Sequence, residues 1–250
     1  MKYSTKPMLD VDSVKIPDYL RDVYHWAYIS ERSAHWLDRN WVVRLLLFGN
    51  DKRLMCAFLD RIQPGAKVWL IANVYGDLIC RAADKIGLDG RFVLTDVLRI
   101  QVSRASAKLA NRQQARVVLS DAASYPAAEK FDLICSFFLL HEVPDVRKCA
   151  ILNHLLNTLP LEGELILVDY HRPRAWNPAG WVLRLVNHWL EPYADALWRH
   201  ELSSFARAPD GFVWTKRTLF GGLYQVVSVR RHLVGIKNVS EAGNRMLFSA

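Results

Sequence analysis

Val68-Trp69-Leu70-Ile71-Ala72-Asn73-Val74-Tyr75-Gly76-Asp77-Leu78 is the stretch that decides how this chain folds. It opens with consecutive apolar residues and no polar alternation, as a strand covered on both faces requires. The reading is a buried strand over residues 66–73. Gly76 breaks the run, and a helix over residues 76–87 follows. The turn signal Gln63-Pro64-Gly65 stands just upstream. A buried strand, a glycine turn and a helix form the opening of a parallel α/β unit, whose ligands meet the carboxyl end of the strand.

The same alternation continues outward from that stretch. Strands are expected over residues 91–95, 116–120, 131–138 and 164–168, and helices over 101–111 and 146–159. Right-handed crossovers turn such a series into a doubly wound sheet. Residues 16–59 are helical in pattern and rich in aromatics, among them Tyr24, Trp26, Tyr28, Trp36 and Trp41. Beyond Asp169, Val182, Leu185, Val186, Trp189 and Tyr193 share one helical face, which Pro192 interrupts or bends. Residues 212–219 and 223–229, joined by Phe220-Gly221-Gly222, read as an antiparallel hairpin. The expected architecture is α/β and Rossmann-like. Its sheet is seven-stranded and mostly parallel, with a C-terminal antiparallel hairpin and N-terminal helices. In sequence it divides into a helical segment, 1–63, on the lid or substrate side, and a domain, 64–250, with a helical insertion at about 174–205.

Acidic residues mark the strand ends. Asp77 follows the first strand, Asp96 ends the second, Asp121 ends the third and Asp169 ends the fifth. Carboxylates on the ligand edge suit ribose hydroxyls and an adenine amino group. Each would serve equally well as a helix N-cap, which Asp favours. The pairing of Asp96 and Asp121 with matching apolar strands favours the ligand reading. Asp96 and Asp121 are expected to face one ligand together, with their successors Val97 and Ala122 beside them.

The 250 residues carry 33 Lys/Arg against 25 Asp/Glu, a net charge of +8. The excess is uneven: residues 171–250 hold 11 basic and 5 acidic side chains, and five of the nine tryptophans. Basic and aromatic together suit an anionic membrane surface, or simply a solvated basic face. No nucleic-acid partner is expected. Cys56, Cys80, Cys135 and Cys149 form no CxxC pair, so zinc and dithiol chemistry are not indicated. No apolar run reaches the roughly 20 residues of a membrane span, and Asp10, Asp12 and Asp18 argue against a targeting peptide. The expected location is cytoplasmic, with membrane association on the cytoplasmic face.

The motifs carry a resemblance. The Val68–Leu78 run is similar to the nucleotide loop of class I S-adenosylmethionine-dependent methyltransferases. Phe131-Asp132-Leu133-Ile134, with Leu139-Leu140-His141-Glu142-Val143-Pro144-Asp145, resembles their fourth-strand motif, and Gly163-Glu164-Leu165-Ile166-Leu167-Val168-Asp169 their fifth strand. Phe48-Gly49-Asn50 and residues 59–65 resemble the entry segment of the ubiquinone/menaquinone C-methyltransferases. The chain also departs from the pattern. Leu70 stands where the family has an acid, and Asn73, Val74 and Tyr75 take positions that are usually small, leaving Gly76 and Asp77. That departure, with Tyr24-His25-Trp26-Ala27-Tyr28 and Asp169-Tyr170-His171-Arg172-Pro173, resembles the rhodoquinone-biosynthesis family, RquA. The resemblance implies amination of ubiquinone to rhodoquinone, with S-adenosylmethionine as amino donor and Mn²⁺ as metal.

These readings name a candidate site. Tyr75, Gly76, Asp77, Asp96, Val97, Asp121 and Ala122 would hold the cofactor, and Tyr75 would orient the donor or else only fill space. His141 would act as a general base near neutral pH, or merely cover the cofactor. Tyr24 and Tyr28 would face a lipophilic quinone. His141 and Asp169 are the expected metal ligands, since Mn²⁺ accepts imidazole and carboxylate. Two rival readings stand beside amination: a conventional quinone methyltransferase, and a non-catalytic methyltransferase-like partner in a quinone-synthesis complex.

Overall fold

The computed structural model describes residues 39–232, apart from 128 and 191–192; of the side chains of 40 and 185–190 nothing is said. Seven strands form one sheet: β1 (Lys67–Ile71), β2 (Arg91–Asp96), β3 (Ala115–Leu119), β4 (Leu133–Phe137), β5 (Glu164–Tyr170), β6 (Phe212–Leu219) and β7 (Tyr224–Arg231). Their order across the sheet is β3-β2-β1-β4-β5-β7-β6. The first five run parallel, and β7 pairs antiparallel with both β5 and β6. This is the expected Rossmann-like sheet with its C-terminal hairpin.

Seven helices are described: α1 (Asn40–Leu46), α2 (Asp51–Leu59), α3 (Leu78–Ile86), α4 (Arg99–Leu109), α5 (Asp145–Thr158), α6 (Pro178–Leu190) and α7 (Asp195–Arg199). The side-chain period of two divides each central strand between two cores. Val68, Leu70, Phe92 and Leu94 join Leu54, Phe58, Ile79 and Ala83 on one face. Trp69, Ile71 and Val93 join Ile151, Leu152, Leu155 and Leu197 on the other. Both faces are covered, which is why β1 from Val68 onward is apolar throughout and β4 is apolar but for Ser136. Leu70, standing where the family has an acid, is fully buried in the first of these cores. Helix α2 belongs to the same core, so its apolar residues pack directly on the sheet.

Between β5 and β6, α6 buries Ala179 and Leu183 among its described side chains, while Val182 is 53% exposed. Beyond it, Lys148 of α5 is fully buried and donates to the carbonyls of Val143 and Tyr193 and to the Asp145 carboxylate. That ammonium ties the α6–α7 junction to the sheet domain. Among the described residues no helix is long and apolar enough to cross a membrane.

The hairpin turn between β6 and β7 anchors the chain leaving β5. Gly221 accepts from the Arg174 N–H, and the Gly222 carbonyl pairs with Nδ1 of His171 at 2.9 Å. Gly222 has φ +87°, and a Cβ there would stand 2.9 Å from the carbonyl oxygen of Arg172. Backbone cannot yield as a flexible side chain would. Gly222→Ala is therefore expected to cost about 1–3 kcal/mol. The corresponding fall in Tm, at roughly 2–4 °C per kcal/mol for a chain of this size, is measurable by calorimetry.

Candidate functional site

The carboxyl ends of β1 to β5 lie along one edge of the sheet, and the predicted site residues follow them. Gly76 is buried at φ +87°, and its carbonyl accepts from Lys108 Nζ at 2.8 Å. Asp77 stands at the N-terminus of α3 without a side-chain capping bond. Ala72 also takes a left-handed φ, +63°, and its N–H donates to the Thr95 carbonyl. The turn thus keeps a glycine-like conformation at a residue that bears a Cβ.

Asp96 ends β2 at 7% exposure. Its Oδ2 accepts from the Asn73 N–H at 2.7 Å and its Oδ1 from the Leu98 N–H at 2.8 Å. One carboxylate thus clasps the β1 turn to the start of α4. Burial pushes its pKa up to about 6, against the opposing effect of the N–H donors of Asn73, Leu98 and Val97. Asp121 follows β3. It accepts from Ala123 N–H and pairs with Arg147 of α5, while Ala122 is half-buried in the same turn.

The unusual residues of the first turn are joined to one another. Asn73 Nδ2 donates to Gln101 Oε1 at 2.8 Å, and Gln101 Nε2 donates to the Tyr75 hydroxyl at 3.1 Å. Gln101 is buried on α4 at 3% exposure. Sequence reasoning missed it. Its only signal was a polar side chain at a position of α4 that must face the sheet. Asn73 Oδ1 is buried and meets no donor among the described residues.

His141 lies in a 3-10 turn, Leu140–Glu142, directly after β4. It is 4% exposed, and its Nδ1 is 2.8 Å from Asp169 Oδ1. Asp169 also accepts from the N–H groups of Leu140 and Tyr170, so three donors converge on one carboxylate. With Nδ1–H given to Asp169, Nε2 of the neutral ring carries the lone pair. Nε2 is 3.9 Å from Glu142 Oε1. The two expected metal ligands therefore bond to one another instead of sharing an ion. Among the described residues no three His, Cys, Asp or Glu side chains form a metal site. Among the described residues nothing supports a manganese centre at this pair.

Aromatic rings stand beside the His141–Asp169 pair. Tyr170 and Phe138 meet the imidazole edge-on at 4.6 and 5.8 Å between centroids. Tyr170, Tyr224, Phe220 and Phe48 continue as an offset stack with interplanar angles of 26°, 19° and 24°. The Tyr224 hydroxyl is buried without a partner among the described residues, and desolvation raises its pKa. Sequence reasoning did not find Tyr224 because it opens an apolar strand. Tyr24 and Tyr28 lie outside the described residues.

The adenosine half of S-adenosylmethionine fits this edge. A carboxylate offers about four acceptor sites, so one on Asp96 remains beyond the N–H donors of Asn73, Leu98 and Val97. The unmet Oδ1 of Asn73 is an acceptor suited to the methionine ammonium. Asp96 carries a stability consequence of its own. Its folded pKa, about 6, exceeds the reference value of 3.8. Below pH 3.8 both states hold the proton; above it the unfolded state releases the proton first. The folded state is thus expected to lose up to about 3 kcal/mol from this group as pH rises to about 6 and above. Urea unfolding of the parent and of Asp96→Asn between pH 4 and 7 measures it. The difference between the two should change across that window, and a constant difference would refute the assignment.

Comparison with known proteins agrees with this geometry. Residues 71–163 match the methyltransferase-domain family. The ubiquinone/menaquinone biosynthesis C-methyltransferase UbiE of Idiomarina loihiensis is 29% identical over 116 residues, which is 45% of this chain and 45% of that protein. The match therefore spans less than half the length of that relative. A SAM-dependent methyltransferase from Aquifex aeolicus superposes with a TM-score of 0.52 at 18% identity, covering 80% of this chain and 97% of that one. Human N-acetylserotonin methyltransferase, solved in complex with SAM, gives a TM-score of 0.57 at 15% identity, covering 86% and 60%. At such identities the structural likeness is one of fold. The chain thus has the fold of these methyltransferases, and its matched segment spans β2, β3 and β4.

Proposed function

We propose that this protein is an S-adenosylmethionine-dependent methyltransferase whose acceptor is a quinone-type ring, methylated at carbon in its reduced, hydroxyl-bearing form. The observation that carries the reading is the His141–Asp169 pair set against the aromatic wall of Phe138, Tyr170 and Tyr224. The partial match to a ubiquinone/menaquinone C-methyltransferase supports it.

When bound, S-adenosylmethionine supplies an electrophilic methyl group on a sulfonium. Asp96 would accept from the ribose hydroxyls, and Asp121, with Val97 and Ala122, would border the adenine. The chain's own task is then to prepare the nucleophile. The flat wall orients the ring by offset and edge-on contacts. His141 Nε2 takes the proton of a ring hydroxyl, which raises electron density at the adjacent carbon. Asp169 holds the imidazole in the tautomer this requires and stabilises its charged form. Methyl transfer would exchange the carbon–sulfur bond for a carbon–carbon bond, the hydrogen of that ring carbon would return as a proton to the ring oxygen, and the one proton released overall would be the one held by His141.

A second reading, amino transfer to ubiquinone from the same donor, is favoured by one observation. The Asn73–Gln101–Tyr75 chain rebuilds the turn that would hold the methionine part. Mass spectrometry of quinone products made with ¹⁵N-labelled or methyl-labelled S-adenosylmethionine separates the two. Methyl label in the product is expected, and ¹⁵N in the product would replace the first reading with the second.

Two variants test the assigned roles. His141→Ala is expected to slow turnover by about 10²–10⁴-fold with cofactor affinity unchanged by calorimetry, and Asp169→Asn to slow it by about 10²-fold or more by losing the tautomer. Equal loss of affinity and turnover would make both residues structural. Tyr75→Phe removes the acceptor of Gln101 Nε2 while keeping the ring. If the turn orients the donor, turnover per bound cofactor falls by up to about 10²-fold. A parent-like rate would reduce Tyr75 to packing.

A further inference from the structure

The chain leaving β5, the helical insertion and β6 line a cleft of about 570 Å³ that the proposed chemistry does not use. His171, Arg172, Arg174, Arg184, Trp198 and Lys216 line it, together with Glu201. Glu201 is occupied: both its oxygens accept from Lys216 Nζ, at 2.5 and 2.6 Å. Asp195 on the neighbouring α7 is paired with Arg199 at 2.9 Å. Arg184 lies over the rings of Trp181 and Trp198 at 5.6 and 6.0 Å. Arg172 and Arg174 are exposed and form no ion pair or side-chain hydrogen bond among the described residues. The indole N–H of Trp198 is buried without an acceptor. The cleft thus gathers cations and a donor in excess of the anions present.

Its backbone is held in place. His171 and Arg174 are tied to Gly222 and Gly221 of the hairpin turn. These guanidinium groups therefore project from an anchored segment that continues directly from Tyr170 of the aromatic wall. Beside the cleft, Trp176, Trp181 and Val182 expose 68%, 66% and 53% of their surface. A Cβ on Gly221 would stand 3.0 Å from the Trp176 ring, which locates that ring at the same turn. Exposed indoles beside arginines suit the polar–apolar boundary of a bilayer. There the ring enters the acyl region, and the guanidinium meets phosphate in a bidentate manner.

We propose that this cleft binds the phosphate headgroup of an anionic phospholipid in a bilayer, with Trp176, Trp181 and Val182 entering the apolar layer beside it. The occupant follows from two features together. Uncompensated arginines select a phosphate-bearing anion, and the apolar rim selects one that is attached to hydrocarbon. The contact is independent of which group the enzyme transfers. It would place the aromatic wall, one residue along the chain from the cleft, close to the membrane that holds a lipophilic ring substrate.

Flotation of the full chain with vesicles tests this. Vesicles of phosphatidylcholine with phosphatidylglycerol should bind at low salt, and phosphatidylcholine alone should not. Arg172→Ala with Arg174→Ala should lower partitioning about tenfold or more. Lys85→Ala with Lys130→Ala, which removes the same charge elsewhere, should retain it. Trp176→Ser with Trp181→Ser should lower the binding that survives high salt, where electrostatic attraction is screened. Circular dichroism and melting of each variant establish that it is folded. Equal binding of both vesicle types, or equal loss in the Arg and Lys pairs, would overturn the cleft as the contact. Calorimetric binding of inorganic phosphate without vesicle binding would overturn the lipid and assign the cleft to a soluble phosphate. Vesicle binding needs no turnover, so failure here leaves the proposed reaction standing.

Discussion

β1 hydrogen-bonds in parallel to β2 on one side and to β4 on the other, with Ile71 in register with Thr95 and Ser136. Because these strands point the same way, their carboxyl ends open on one edge, and the loops that follow must leave from it together. β2 and β4 diverge there toward opposite wings of the sheet, which is the geometry that leaves a crevice in doubly wound folds. Asp96 and the His141–Asp169 pair stand on opposite sides of that crevice only because β1 separates them. Burial of Trp69, Leu70 and Ile71 on both faces holds the register, since a slip of one residue would exchange the two cores.

On the β2 side, polar groups replace the conformational freedom of glycine. Ala72 takes a left-handed φ, and Asn73, Tyr75 and Gln101 fill the space with hydrogen bonds. The Asp96 carboxylate binds the Asn73 N–H at the centre of this arrangement. Its ionisation is costly there, because the N–H donors offset only part of the lost hydration. A ligand offering hydroxyl donors would relieve part of the same cost. Ligand binding and the local stability of the turn are thereby coupled through one carboxyl group.

On the β4 side the balance is different. Asp169 is buried with three N–H donors and fixes both the 3-10 turn and the imidazole it carries. Its carboxylate cannot be withdrawn to coordinate an ion without leaving buried N–H groups unpaired, a cost of about 1–3 kcal/mol for each. The aromatic wall depends on the antiparallel attachment of β7, which sets Tyr224 opposite Tyr170. The β6–β7 turn then pins the segment 171–174, so the basic cleft and the wall share one support.

The sequence by itself determined the alternation of elements, the parallel sheet with its hairpin, and the carboxylates at the strand ends. Each of these follows from local pattern: apolar runs for doubly covered strands, turn residues between them, and an acid closing each run. Tertiary structure alone decided what those carboxylates do. Asp121 meets Arg147 from another helix, and Asp169 meets His141 across 28 residues, whereas metal sharing had been expected from residue type. Gln101 and Tyr224 had no local signal, because their partners lie on other elements or their neighbours in sequence are ordinary core. Charge in residues 171–250 was countable from the sequence. Its concentration in one cleft required the β5 exit, the insertion and β6 to be brought together by long-range packing.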